Sequence, residues 1–138
     1  MVKIGTRVEF EAAHRQLGDP SKCGKLHGHN WAAEVHIESH DINDIGYVID
    51  FKDISEICNR YDHSVMLVTG DPLIDVLIEA DQNVVVIPVN PTCENLAEIL
   101  AGCIKEVMDS RMVFCEKVRV VVWENQKSYA ICEIKGSD

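Results

Sequence analysis

Ser21-Lys22-Cys23-Gly24-Lys25-Leu26-His27-Gly28-His29-Asn30 places two imidazoles two residues apart, with a thiol four residues before the first. On an extended strand His27 and His29 project from one face, and the intervening Gly28 keeps the backbone slim. Two imidazoles on one face are half of a metal site. The nearby thiol is either a further ligand or a nucleophile or base. A loop that runs into a strand is the reading of this stretch, and it sets the elements on either side.

C-terminal to it, residues 28–39 continue the strand. Trp31, Ala33, Val35 and Ile37 extend the face of His27 and His29, while Asn30, Ala32, Glu34, His36 and Glu38 take the other. By this parity neither His36 nor His40 joins the same metal. N-terminal to it, Gly18, Asp19, Pro20, Ser21 and Gly24 mark residues 15–26 as a loop. Arg15, Lys22 and Lys25 make that loop basic in an otherwise acidic chain, so it is either a solvated loop or an anion contact. Residues 2–14 before it read as a strand, with Val8, Phe10, Ala12 and His14 on one face and Arg7, Glu9 and Glu11 on the other. A histidine ending an apolar strand face is commonly just a packed residue. If the two strands are neighbours, however, His14, His27 and His29 converge at one end of the sheet. Three neutral imidazoles around Zn²⁺ leave a position open, as in catalytic zinc sites.

Further on, Asn43, Asp44 and Gly46 make a turn, and Asp50 caps a first helix carrying Phe51, Ile54, Ile57, Cys58 and Tyr61, expected to end near Asp62-His63. Residues 64–83 are less regular, with a short helical turn over 73–79, and Val84 to Val89 is a buried strand-like run. Thr92 caps a second helix with the stripe Leu96, Ile99, Leu100, Cys103, Ile104, Val107 and Met108. Residues 112–124 read as a third strand, in which Glu124 continues the apolar face of Val118, Val120 and Val122. An acid there needs a hydrogen-bond donor unless it simply leaves the sheet. Glu124 to Lys127 turns into a fourth strand through Tyr129 and Ile134. The expected fold is α+β: a four-stranded antiparallel sheet with two helices on one face, in one domain over residues 1–138 with a short tail at Gly136 to Asp138.

Composition narrows the function classes. The 138 residues suffice for one domain with a real core, and 46% apolar with 26% charged residues is ordinary for a globular chain. A net charge of −10 argues against general nucleic-acid or membrane-surface binding. No apolar run is long enough to span a bilayer, and the start lacks a signal-type pattern. Six cysteines without a Cys-x-x-Cys pair, most inside apolar patterns, suit a reducing cytoplasm.

Phe10-Glu11-Ala12-Ala13-His14, Cys23 through Asn30, Tyr61-Asp62-His63, Pro91-Thr92-Cys93-Glu94-Asn95 and Val122-Trp123-Glu124 fall in the order and spacing of a known family. The chain resembles the 6-pyruvoyltetrahydropterin and 6-carboxytetrahydropterin synthases over nearly its whole length. The resemblance implies the tunnelling fold, with sheets of several subunits joined in an oligomeric barrel, usually a hexamer with sites shared between subunits. It implies one zinc on His14, His27 and His29, a catalytic thiol at Cys23 and a proton relay at Asp62 and His63. It places the pterin-anchoring acid at Glu124, with Thr92 and Glu94 beside it. Lys25, with Lys22 and Arg15, is a candidate contact for the triphosphate of the implied substrate, 7,8-dihydroneopterin triphosphate. Three residues between Cys23 and His27 look like the 6-carboxy branch, which releases acetaldehyde and feeds queuosine or archaeosine synthesis. Tyr61, Cys93 and Asn125 depart from the commonest family pattern. Two alternatives stay open: a synthase that eliminates triphosphate but keeps the side chain, and a zinc- or pterin-binding module without turnover.

Overall fold

The computed structural model describes residues 1–136, so of the expected tail only Gly136 falls within it. Two long strands dominate. β1 (Val2–His14) and β2 (His27–Ser39) pair antiparallel over their full lengths, from Val2 opposite Ser39 to His14 opposite His27. Directly opposed residues share a face, so this register puts His14, His27 and His29 together, as the alternation predicts. His36 lies exposed on the other face.

The face of Phe10, Trp31, Val35 and Ile37 is buried under α1 (Phe51–Asn59) and α3 (Cys93–Ser110). Asp50 caps α1 by accepting from the Lys52 amide at 2.9 Å, and Thr92 caps α3 by accepting from the Asn95 amide at 3.1 Å. Leu96, Leu100, Ile104 and Met108 recur at helical spacing along α3 and are all buried. The opposite face of the sheet is polar and laced with ion pairs across strands, Arg7–Glu34 at 2.7 Å and Lys3–Glu38 at 3.1 Å among them.

The sheet is larger than the sequence led us to expect. It has six strands in the order β4-β3-β1-β2-β5-β6 and is mixed, not four-stranded and antiparallel. β5 (Lys117–Trp123) and β6 (Tyr129–Lys135) extend it antiparallel beyond β2. On the other side β3 (Ser64–Val68) runs parallel to β1, and β4 (Val84–Ile87) runs parallel to β3. The segment read as irregular thus supplies one strand, and the buried run after it supplies another. Between them stands a third helix, α2 (Leu73–Glu79), where a helical turn was expected. The first helix ends at Asn59, before Asp62-His63, because the chain reverses there into β3 with His63 in the left-handed region at φ 55°. The strand expected over 112–124 begins only at Lys117; Met112, also left-handed at φ 57°, belongs to the turn that precedes it.

Candidate metal centre and acid–base pair

Trp31 braces the histidine end of the sheet. It stacks on Phe10 at a 6.1 Å centroid distance, donates from Nε1 to the Ala12 carbonyl at 3.2 Å, and meets the His14 ring edge-on at 4.9 Å. Its fully buried indole therefore fixes the level at which the imidazoles sit.

His14 Nδ1 lies 2.7 Å from the Pro91 carbonyl, and His27 Nδ1 lies 2.6 Å from the Lys25 carbonyl. A carbonyl only accepts, so both Nδ1 atoms carry the proton and both Nε2 atoms present lone pairs. Those two Nε2 atoms face each other at 3.1 Å. His29 Nε2 is buried beside them with no hydrogen-bond partner. Burial pushes the His14 pKa down to about 4; the bond to Pro91 opposes this, and the neighbouring His27 and His29 add to it. Burial also lowers His29, against the pull of Glu124. Neutral imidazoles with converging lone pairs and an orphaned nitrogen suit a shared cation, and nitrogen donors with a carboxylate suit zinc. Glu124 brings that carboxylate: its Oε1 is 3.4 Å from Nε2 of both His14 and His29. One donor atom from each of these four residues lies within 4.8 Å of the others. The carbonyls of Pro91 and Lys25, which set the tautomers, act as the outer support that metal-binding histidines need.

Cys23 is not a member of this four-donor group. It sits half-buried in a single 3₁₀ turn, Lys22–Gly24, capped by Ser21. The Gln16 amide donates to its carbonyl at 2.9 Å, and a Cβ at Gly24 would collide with the Asp19 carbonyl, so the turn requires glycine there. Asn90 ties this loop down by accepting from the Leu17 amide at 3.0 Å and donating to the Leu17 carbonyl at 3.1 Å. Lys22 and Lys25 are exposed. Arg15 is engaged elsewhere: its guanidinium makes two bonds, at 2.8 and 2.5 Å, to the buried carboxylate of Asp71.

Asp62 and His63 form a second constellation. Asp62 accepts from the Glu11 amide and from His63 Nδ1, each at 2.9 Å, while the His63 amide donates to the Glu11 carbonyl at 2.6 Å. The Asp62 pKa is lowered by the Glu11 amide and His63, and the carboxylate beside His63 raises that of the imidazole. The His63 side chain is 77% exposed. It lines, with His29, Gly28 and Ser64, an open groove of about 440 Å³. Among the described residues it makes no hydrogen bond to Cys23.

The structure gives Thr92 to the helix cap and leaves Glu94 exposed, 3.7 Å from the Cys93 sulfur. Burial, then Glu94 and Glu124, push the Cys93 thiol up to about 11, so this second thiol stays protonated. The motif Pro91 to Asn95 marked the segment; the roles of the Pro91 carbonyl and of Cys93 had no signal of their own.

A histidine-rich end that could hold a metal, on a mixed α+β sheet, stands beside a separate carboxylate–imidazole pair. The chain belongs to the 6-pyruvoyl tetrahydropterin synthase family, whose model matches residues 3–135. It is 34% identical over 128 residues to the 6-carboxy-5,6,7,8-tetrahydropterin synthase of Rickettsia bellii, covering 87% of this chain and 93% of that one. Its fold is shared with the 6-pyruvoyl tetrahydropterin synthase of Plasmodium vivax (TM-score 0.68, 20% identity, 98% and 99% of the two chains). The corresponding protein of Caenorhabditis elegans superposes with a TM-score of 0.62 at 25% identity, over 98% and 95% of the chains.

Proposed function

We propose that the chain is a zinc-dependent 6-carboxy-5,6,7,8-tetrahydropterin synthase acting on 7,8-dihydroneopterin triphosphate and releasing triphosphate and acetaldehyde. The observation that carries this reading is the convergence of three Nε2 atoms, two with their tautomers fixed and one orphaned, at one point beside Glu124. Relatives above 30% identity that bear the 6-carboxy name favour that branch.

Bound at His14, His27 and His29, zinc supplies positive charge for the oxygens of the substrate side chain. Cys23 takes a proton from a side-chain carbon. His63, whose affinity for a proton Asp62 raises, delivers the second proton when protonated or accepts it when neutral. Glu124 accepts two hydrogen bonds from the guanidine-like edge of the pterin, with Thr92 and Glu94 beside it. Lys25, with Lys22, meets the triphosphate; Arg15 is withdrawn from that role by Asp71. In this reading Cys23 and His63 of one site come from two subunits of a barrel-forming oligomer, a hexamer, which agrees with the lack of any hydrogen bond between them within one chain. The protein then works in the cytoplasm, in deazapurine synthesis leading to queuosine or archaeosine. Its six cysteines are all unpaired, and among the described residues no helix is long and apolar enough to cross a membrane.

The test is product analysis. Purified zinc-loaded protein is incubated with 7,8-dihydroneopterin triphosphate. The carboxylated pterin with acetaldehyde is the expected outcome. A pterin that keeps its three-carbon side chain assigns the pyruvoyl reaction instead, and bound ring without turnover assigns a binding module.

A further inference from the structure

We infer that Glu124 is a fourth, displaceable ligand of the same metal, holding the coordination sphere closed until a ring edge claims the carboxylate. This rests on the zinc reading of the three histidines and adds a role for Glu124 beyond ring recognition. A tetrahedral ion with bonds of about 2.0–2.1 Å has donor–donor edges of about 3.3–3.4 Å. Glu124 Oε1 stands 3.4 Å from His14 Nε2 and 3.4 Å from His29 Nε2, and the His14–His27 edge is 3.1 Å. Three of the six donor–donor edges are thus close to tetrahedral length, and the carboxylate oxygen shares two of them.

The electrostatics point the same way. The Nε2 of His14 has no proton to offer, because Pro91 holds the ring's proton on Nδ1. The contact at His29 Nε2 satisfies no hydrogen-bond geometry. An oxyanion against the unprotonated His14 nitrogen is repulsive unless a cation lies between them. Its placement is built in. Glu124 follows directly on β5, its amide donates to the Ser128 carbonyl at 3.0 Å, and the Asn125 side chain accepts from the Lys127 and Ser128 amides. This tight turn aims the carboxylate over the histidines. The side chain is nevertheless 27% exposed, so it can swing away. A carboxylate turned to present its paired lone pairs to two planar donors no longer presents them to the metal. Ring binding and release of the fourth position are therefore linked, and the linkage is reciprocal.

Cobalt(II) reports coordination directly, since four-coordinate ions absorb far more strongly in the visible than five- or six-coordinate ones. The full-length wild type loaded with Co²⁺ is expected to show the intense four-coordinate spectrum and to ignore azide. E124A and E124Q, checked for native circular dichroism, are expected to bind Co²⁺ roughly tenfold or more weakly. E124A is expected to respond to azide and to regain the wild-type spectrum with acetate. Bare pterin, lacking a side chain, should make the wild type azide-sensitive. Identical spectra, affinities and azide responses in wild type and both variants overturn the inference while leaving the three-histidine centre standing. A wild type that takes up no Co²⁺ overturns that centre as well.

Discussion

The molecule treats histidine in two opposite ways. At the shared end of β1 and β2, burial and neighbouring imidazoles strip the ring of its proton, to the point that His14 titrates at about 4. At the left-handed turn before β3, the Asp62 carboxylate 2.9 Å away raises the affinity of His63 for its proton. The first environment presents lone pairs that suit a cation; the second favours the protonated ring. Backbone atoms anchor both constellations: the Pro91 and Lys25 carbonyls hold His14 and His27, and the Glu11 amide and carbonyl of β1 hold Asp62 and His63.

The most severe break in that contrast is His27→Ala, which removes one lone pair from the histidine set. Metal content, by elemental analysis, is expected to fall from one per chain to near none, with loss of measurable turnover. Chelating the metal from the wild type should lower Tm by roughly 10 °C, since a ligand at a hundredfold excess over its Kd contributes about 2.7 kcal/mol. Next comes Cys23→Ala, which should lower turnover by about 10²–10⁴-fold while leaving the metal in place. Loss of zinc along with activity would make Cys23 a ligand and blur the distinction between the two regions.

Asp62→Asn sharpens the other side, with an expected rate loss of about ten- to a hundredfold. The His63 pKa, followed by NMR, should drop toward its ordinary value of 6.5. The signs are definite. Because His63 is raised, its contribution to stability is complete below pH 6.5 and fades as pH rises through the higher folded value. Because Asp62 is lowered, its contribution is complete above pH 3.8 and fades as pH falls through the lower folded value. Both contributions are therefore present between those limits. His36→Ala, on the open face of the sheet, is expected to do least: unchanged metal content and a stability change within about 0.5 kcal/mol. Loss of metal in that variant would contradict the observed register.

Legibility in the sequence divides along physical lines too. Strict alternation over thirteen residues made β1 and β2 legible, and with them the face shared by His14, His27 and His29. β3 is five mostly apolar residues in a segment read as irregular, and periodicity alone does not assign such a run; Val84 to Val89 read as strand-like, but a parallel, distant partner kept β4 out of the expected sheet. The same applies to contacts that only tertiary structure makes. Arg15 looked free for an anion, but Asp71, 56 residues away, holds it. The Lys25 and Pro91 carbonyls that orient the imidazoles are backbone atoms, so no side chain announces them. Glu124 was visible as an acid ending an apolar face; that its oxygen reaches the histidines depended on the turn after β5.

Anomalous diffraction at the zinc edge, on crystals of the purified full-length protein, tests the central claim most directly. One peak per chain, bonded to Nε2 of His14, His27 and His29, is the result expected. Three imidazoles turned away from one another, or an ion lodged on other side chains, would contradict it.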